Sequence, residues 1–225
     1  MQYNVKIAIL EWIRELAPGK LLDIPAGTGW LQEALPHPNW NYFASDLYTQ
    51  PSTENYVKAD LNDPLPFSDQ SFDYIVCAEG LEHIENPHHV LREFHRILSP
   101  RGKVIISTPN PLNMKSRLKF LKEGTFSGFP HLLRIPGKGE HVHISPINLS
   151  FLISFAQSYG LQLDKVHPLK IKPKNYRYLP MAWMLKLRSY IKYYFSKTER
   201  NQLMRRLHSN NVLLNDGIVV SFKKF

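Results

Sequence analysis

The chain has 225 residues, of which 43% are hydrophobic and 21% are charged, and its formal net charge is +9. This length and composition fit one globular domain with a substantial core and exclude a disordered or fibrous chain. The single cysteine, Cys77, excludes an internal disulfide and favours a reducing compartment.

The first segment, 1–18, predicts an amphipathic helix, because its apolar residues recur at helical spacing. Glu11, Arg14 and Glu15 interrupt these apolar residues, so we do not expect a signal peptide here. Nowhere in the chain does an uncharged apolar run reach the roughly 18 residues of a membrane-spanning helix. We therefore expect a cytoplasmic protein.

Apolar strand-like runs then alternate with helical patterns up to residue 110. This alternation predicts a doubly wound, mostly parallel sheet that is covered on both faces, which is a three-layer α/β fold. The predicted strands are 19–25, 41–47, 55–61, 71–80 and 102–110, with a helix at 87–98 between the last two.

The pattern loosens after Pro111. Residues 111–144 read as an insertion on the substrate side of the domain. "SPINLSFLISFAQSYG" (145–160) predicts a helix with Ser145 as N-cap, and 161–169 and 215–225 predict two final strands.

Charge is distributed unevenly, since residues 1–110 carry 8 Lys and Arg against 14 Asp and Glu, whereas 111–225 carry 20 against 5. The excess of basic residues peaks in 170–211, a predicted amphipathic insertion before the last strand. A helix over 178–195 would place Trp183, Leu187 and Tyr190 on one face and Arg188 on the other. That composition suits contact with an anionic membrane, a lid over the active site or a homodimer contact.

The stretch "LLDIPAGTGW" (21–30) ends a strand with Asp23 and then brings Gly27 and Gly29. Glycines after a strand let a ligand approach the backbone closely. The third glycine of a dinucleotide fingerprint is missing, because Gln32 occupies its position.

Acids end the first three predicted strands, and in a doubly wound sheet these strand ends share one crevice. Asp46 is placed to bind ribose hydroxyls, Asp60 an adenine amine, and Asp23 an ammonium group or water. The acids would repel a pyrophosphate and would attract a cationic nucleoside.

Four motifs in this order resemble those of class I S-adenosylmethionine-dependent methyltransferases. They are "LLDIPAGTG", "ASDLY", "KADLNDPLPFSDQSFDYIVCAEGLEHIENP" and "LREFHRILSPRGKVIISTPN". The resemblance covers about 19–110 and is weaker up to 167, and Pro25 departs from it where the family often has glycine.

The resemblance implies a single methyltransferase domain over 1–225, with a Rossmann-like seven-stranded sheet whose last strand is antiparallel. It also implies S-adenosylmethionine as cofactor and S-adenosyl-L-homocysteine as product. The implied cofactor-binding residues are Asp23, Ala26, Gly27, Thr28, Gly29, Asp46, Leu47, Asp60, Leu61, Cys77, Ala78 and Glu79.

The loop after the fourth strand carries the candidate catalytic residues, Glu82 and His83. The imidazole of a histidine titrates near neutral pH and suits a general base, whereas the alternative is that both residues only orient the loop. His131 and His143 are candidate substrate contacts. Because the pair His141 and His143 lacks a clear third ligand, we expect no metal site.

No Asn-Pro-Pro-Tyr-type motif follows the fourth strand, which argues against methylation of a nucleic-acid amine and against DNA as a partner. We therefore expect an acceptor oxygen on a small molecule, a glycan or a lipid-linked carrier, with peripheral contact at the inner membrane face. The alternatives are an RNA methyltransferase that uses the basic region, and a non-catalytic module that binds S-adenosylmethionine.

Overall fold

A computed structural model describes residues 3–131 and 142–225, and seven strands within them form a single sheet. The strands are β1 (Lys20–Asp23), β2 (Asn41–Asp46), β3 (Tyr56–Lys58), β4 (Phe72–Ala78), β5 (Leu98–Pro109), β6 (Leu161–Val166) and β7 (Gly217–Lys224). Their order across the sheet is β3-β2-β1-β4-β5-β7-β6.

The first five strands are parallel, and β7 lies antiparallel between β5 and β6. The strand order reverses direction between β1 and β4, where a doubly wound sheet opens a crevice at the carboxyl ends of its strands. The predicted doubly wound sheet with an antiparallel last strand is confirmed.

Eight α-helices accompany the sheet in the described part of the chain. They are α1 (Tyr3–Arg14), α2 (Trp30–Ala34), α3 (Pro87–Ile97), α4 (Met114–Glu123), α5 (Leu149–Ser158), α6 (Leu179–Phe195), α7 (Glu199–Leu207) and α8 (Asn210–Leu214). None of them is long and apolar enough to cross a membrane.

Alternating side chains of the strands feed two cores, one on each face of the sheet. Leu21 belongs to the core that packs on α1 through Ile9 and Ile13. Its neighbour Leu22 belongs to the opposite core, which contains Phe94 of α3 and Leu152 of α5. The two layers fix the sheet from both sides and hold the strand ends in place.

The helix predicted at 145–160 begins later than the sequence indicates, so the predicted N-cap was wrong. Asn148 caps α5 by accepting a hydrogen bond from the backbone N–H of Ser150. Ser145 serves another contact, because its hydroxyl donates to the carbonyl of Ile84 in the loop after β4. This contact ties the segment before α5 to the loop that carries Glu82 and His83.

The basic segment predicted as 170–211 lies between β6 and β7 and contains α6, α7 and the first two residues of α8. The end of β6 at Val166 pairs with Val220, and the start of β7 at Gly217 pairs with Pro109 at the end of β5. The segment therefore leaves and re-enters the sheet at the edge where the parallel strands end.

Candidate functional site

A cavity of about 520 Å³ opens at the carboxyl ends of β1, β2 and β4. Its volume is in the range of small-molecule sites. Ten of the residues singled out from the sequence line it, namely Ala26, Gly27, Thr28, Asp46, Leu47, Asp60, Leu61, Ala78, Glu79 and His83.

Asp46 organises the loops on one side of this cavity. Its Oδ2 accepts a hydrogen bond from the backbone N–H of Gly27 (2.9 Å), and its Oδ1 accepts from those of Tyr48 and Thr49 (2.8 Å each). A carboxylate offers about four lone-pair positions, so these three bonds leave capacity for a ligand hydroxyl. The arrangement suits the ribose-binding role assigned to Asp46 from the sequence.

Gly27 lies in the loop after β1 with a φ of 55°, which favours glycine. Apart from its two chain neighbours, no described residue has an atom within 4 Å of the point where a β-carbon would be. The backbone here is thus open to a ligand.

Asp60 and Glu79 place two more carboxyl groups at the cavity. Asp60 Oδ1 accepts hydrogen bonds from the backbone and side-chain amides of Asn62. Burial raises the pKa of Glu79, whereas the Ser107 hydroxyl, which donates to it at 3.3 Å, acts in the opposite direction. The positive φ of Glu79 (54°) is uncommon for a residue with a β-carbon, and such strain clusters at functional sites.

Three predicted cofactor residues, Asp23, Gly29 and Cys77, are absent from the lining of this cavity. Asp23 is fully buried, and burial raises the pKa of its carboxyl to about 7, against the lowering effect of the hydrogen bond that Tyr42 donates. Gly29 lies beside Pro51, whose Cβ would be 2.9 Å from an added β-carbon. The thiol of Cys77 is buried, which raises its pKa well above the usual value.

Glu82, His83 and His143 come together beside the cavity although 60 residues separate the two histidines in sequence. The backbone N–H groups of Ile144 and Ser145 donate to the carbonyl of Glu82 (2.8 and 3.0 Å), which holds the two segments side by side. The two imidazole rings meet edge to face with centroids 4.8 Å apart.

Both histidines point Nδ1 at a backbone carbonyl. His83 Nδ1 lies 3.1 Å from the carbonyl oxygen of Val142, and His143 Nδ1 lies 2.8 Å from that of Gly128. Because a carbonyl only accepts hydrogen bonds, Nδ1 carries the proton in each neutral ring and Nε2 is the basic nitrogen. This orientation suits a general base and equally suits a metal ligand.

Glu82 is the third member of this cluster. Its side chain is fully buried, and neither carboxyl oxygen has a hydrogen-bond partner within the described part of the chain. Burial raises the pKa of Glu82 to about 8, and the carboxylate of Glu79 adds to this. One ligand atom from each of Glu82, His83 and His143 lies within 4.8 Å of the others, so these residues could hold a divalent cation.

No metal was expected because the pair His141 and His143 lacked a third ligand, whereas the fold brings Glu82 and His83 to His143. His131, the other predicted substrate contact, is exposed and does not line the cavity. His141 lies outside the described residues.

Two cavity residues carried no clear sequence signal. Gly80 lies against the ring of Pro25, whose Cδ would be 2.6 Å from an added β-carbon, so a larger residue would force one of the two to shift. Lys6 reaches the cavity from α1, with its Nζ 4.7 Å from the centroid of the Trp30 ring.

The polar groups that line the cavity fit an adenosyl cofactor with a positive charge. Carboxyl groups of Asp46, Asp60 and Glu79 line the cavity, and Gly27 leaves its backbone accessible. Asp46 would hold the ribose and Asp60 the adenine.

Comparison with known proteins supports this fit. A family model described as a methyltransferase domain matches residues 1–166. The ubiquinone biosynthesis O-methyltransferase of Pseudomonas aeruginosa is 29% identical over 187 residues, which are 75% of this chain and 77% of the relative. That of Xanthomonas euvesicatoria is 28% identical over 171 residues, or 71% and 69% of the two chains.

Solved structures share the fold. A methyltransferase dependent on S-adenosylmethionine from Archaeoglobus fulgidus superimposes with a TM-score of 0.59 at 16% identity, over 98% of this chain and 93% of that one. A Burkholderia thailandensis N-methyltransferase with bound S-adenosylhomocysteine gives 0.56 at 13% identity, over 99% and 78%. Motifs, topology and family match agree, and the chain belongs to the class I S-adenosylmethionine-dependent methyltransferases.

Proposed function

We propose that this methyltransferase transfers its methyl group to a hydroxyl oxygen of a small-molecule, glycan or lipid-linked acceptor. The observation that carries the proposal is the position of His83, whose ring lines the cofactor cavity with Nδ1 held by the carbonyl of Val142. Relatives named as O-methyltransferases support an oxygen acceptor.

When bound, S-adenosylmethionine supplies an electrophilic methyl carbon on a positively charged sulfur. His83 Nε2 would take the proton of the acceptor hydroxyl, and the oxygen would receive the methyl group that the bound cofactor supplies, leaving the neutral thioether of S-adenosylhomocysteine. Asp46 and Asp60 hold the nucleoside, which fixes the distance and alignment that in-line transfer needs.

The cluster of Glu82, His83 and His143 supports a second role for His83, that of metal ligand rather than base. A chelator separates the two roles. If His83 acts as the base, methyl transfer survives treatment with EDTA followed by desalting. If the cluster holds a required cation, activity is lost and returns with Mg²⁺ or Zn²⁺.

The remaining parts of the chain complete one catalytic unit over 1–225 in this proposal. The N-terminal segment 1–18 closes one side of the cavity through Lys6. The described end of the insertion 111–144 brings His143 beside the cavity, where it contacts the acceptor in this proposal. A contact between His131 and the acceptor remains a prediction from the sequence. The exposed apolar residues of the segment 170–211 argue against a lid packed on the cavity and leave this face open to a membrane or to a second copy of the chain.

Radiolabelled methyl transfer into a fractionated cell extract tests the acceptor class. We expect label in a hydroxyl-bearing small molecule or lipid-linked fraction, and none in the same extract treated with the Asp46→Ala variant. Label recovered in RNA would contradict the proposal. So would cofactor binding without label in any fraction, as expected of a non-catalytic module.

A further inference from the structure

We propose that the groove between α6 and α7 binds the phosphate of an anionic phospholipid headgroup and so seats this enzyme on a membrane surface. The groove, called here the α6–α7 groove, has a volume of about 350 Å³. Its lining contains Lys186, Arg205, Arg206, Ser189, Ser209 and Gln202.

The three cations of the α6–α7 groove have no carboxylate partner among residues 3–131 and 142–225. Elsewhere in the basic region lysines are paired, since Lys172 lies 2.9 Å from Asp216 and Lys165 lies 3.6 Å from Glu15. Residues 165–206 carry twelve Lys and Arg and one acid, so the chain itself supplies little to neutralise them. An anion from outside the chain would neutralise them.

Arg205 is held in place by aromatic rings. Its guanidinium carbon lies 4.5 Å from the ring centroid of Tyr193 and 5.5 Å from that of Tyr190. Stacking restricts the side chain but leaves its N–H donors available at the ring edges, and a planar guanidinium matches a phosphate through two parallel hydrogen bonds. The hydroxyls of Ser189 and Ser209 line the same groove and supply further polar contacts.

A stripe of apolar side chains lies next to the α6–α7 groove and faces solvent. Trp183 is 63% exposed and Tyr194 is 70% exposed. The rest of the stripe is exposed as well and comprises Met184, Leu187, Tyr190, Ile191 and Phe195. At 100° per residue these side chains span a single arc of α6.

At the same angular spacing, basic side chains lie at both borders of this arc. Lys186 borders one side of the stripe, and Arg188 borders the other. The opposite face of α6 packs inward, because Ala182 is fully buried in a small core with Leu213 and Leu214 of α8. A helix so fixed presents apolar side chains with cations on both flanks, as interfacial helices do.

Charge selects the bilayer over the other occupants of this surface. A second copy of the chain would bring a basic face against an identical basic face, and the repulsion would oppose a dimer. RNA would neutralise the cations but would leave Met184, Leu187 and Ile191 without an apolar partner. An anionic bilayer offers phosphates at the depth of the cations and acyl chains below them.

The location of the groove fits the proposed reaction. The segment that carries it leaves β6 and enters β7 at the same edge of the sheet as the cofactor cavity. A lipid-linked acceptor in the membrane would therefore be presented at the edge where methyl transfer takes place. Only this link rests on the proposed function, because membrane binding itself needs neither cofactor nor acceptor.

Vesicle binding of the full chain tests the proposal. Vesicles of pure phosphatidylcholine are compared with vesicles containing phosphatidylglycerol, by co-sedimentation and by the fluorescence of Trp183, with the Trp183→Phe variant as spectral reference. We expect binding to the anionic vesicles alone, a blue shift that Trp183→Phe loses, and weakening by salt. The double variant Arg205→Glu/Arg206→Glu should lower the partition coefficient at least ~10-fold.

The control is Lys103→Glu/Lys223→Glu, which makes the same change in net charge at the opposite edge of the sheet. It should bind vesicles nearly as the wild type does. Equal losses in the two double variants would overturn a specific groove, and so would absence of binding at low salt. A Trp183 blue shift that grows with protein concentration without vesicles would instead assign the stripe to a dimer and refute the proposal. Retained methyl transfer in either case would leave the proposed function intact.

Discussion

The cofactor cavity and the α6–α7 groove differ in whether their charged side chains have partners within the described part of the chain. At the cavity, the carboxylate of Asp46 already accepts three backbone hydrogen bonds, and Glu79 accepts one from Ser107. At the groove, Arg205 and Arg206 have no carboxylate partner within the described residues. A small ligand completes the first region, whereas the second requires a large anionic surface from outside the chain.

The largest effect on the cavity side should come from His83→Ala. Loss of the general base should slow methyl transfer ~10²-fold or more, while affinity for S-adenosylmethionine stays close to that of the wild type. Single-turnover transfer and cofactor titration measure the two quantities separately. His37→Ala, a change at an exposed histidine outside the cavity, is the control.

A wild-type rate for His83→Ala would remove the base from the mechanism. A large loss of cofactor affinity would instead make His83 part of the nucleotide site.

The variant Asp23→Asn tests the cavity side of this comparison through the pH dependence of the free energy of unfolding. Because burial raises the folded-state pKa of Asp23 from 3.8 to about 7, the folded protein keeps a proton that the unfolded chain loses. This contribution to stability is fully present below pH 3.8 and is lost as pH rises to about 7. Relative to the wild type, Asp23→Asn should therefore gain free energy of unfolding over that window, by on the order of 4 kcal/mol.

Urea denaturation of both proteins at several pH values measures this difference. A difference that is constant with pH would mean that Asp23 is ionised throughout, and that its burial is compensated by groups other than Tyr42.

Gly80→Ala tests how tightly the loop after β4 packs on the cofactor loop. The new β-carbon would lie 2.6 Å from Pro25 Cδ, so we expect a loss of about 1 kcal/mol or more in the free energy of unfolding. Removing the ring in Pro25→Ala/Gly80→Ala should recover part of the loss, since the two sites are in contact. Strictly additive losses would show that the ring is not the obstacle.

The smallest effect should come from Trp183→Ser on the groove side. The side chain is 63% exposed, so the free energy of unfolding should change by no more than ~0.5 kcal/mol and cofactor affinity should not change. Thermal denaturation and calorimetry check both. A loss of 2 kcal/mol or more would mean that Trp183 is packed, as in a lid, and the contrast between the two regions would fail.

Local patterns were sufficient to predict the sheet and most of the cavity. Apolar runs that end in an acid marked β1 and β2, and Asp46 lies at the predicted strand end. A terminal acid alone did not show that Asp46 lines the cavity and that Asp23 does not. The last side chains of neighbouring strands lie in different surroundings. Asp23 faces Tyr42 in the core.

Contacts between distant segments were beyond the reach of the sequence. Glu82 and His143 meet only because Ile144 and Ser145 donate hydrogen bonds to the carbonyl of Glu82. The predicted cap at Ser145 was wrong for a related reason, since the hydroxyl is used by the carbonyl of Ile84. A helical wheel also cannot tell which side of α6 packs, and Ala182 rather than the aromatic stripe faces the protein.

Calorimetric titration with S-adenosylhomocysteine tests the central claim most directly. We expect one site per chain in the wild type, and affinity weakened by ~1–3 kcal/mol in Asp46→Ala through loss of charge-assisted bonds to the ribose. Glu54→Ala, which removes an exposed carboxylate outside the cavity, should bind as the wild type does. No binding by the wild type, or equal affinity in Asp46→Ala and Glu54→Ala, would contradict the claim that the carboxyl edge of this sheet holds the methyl donor.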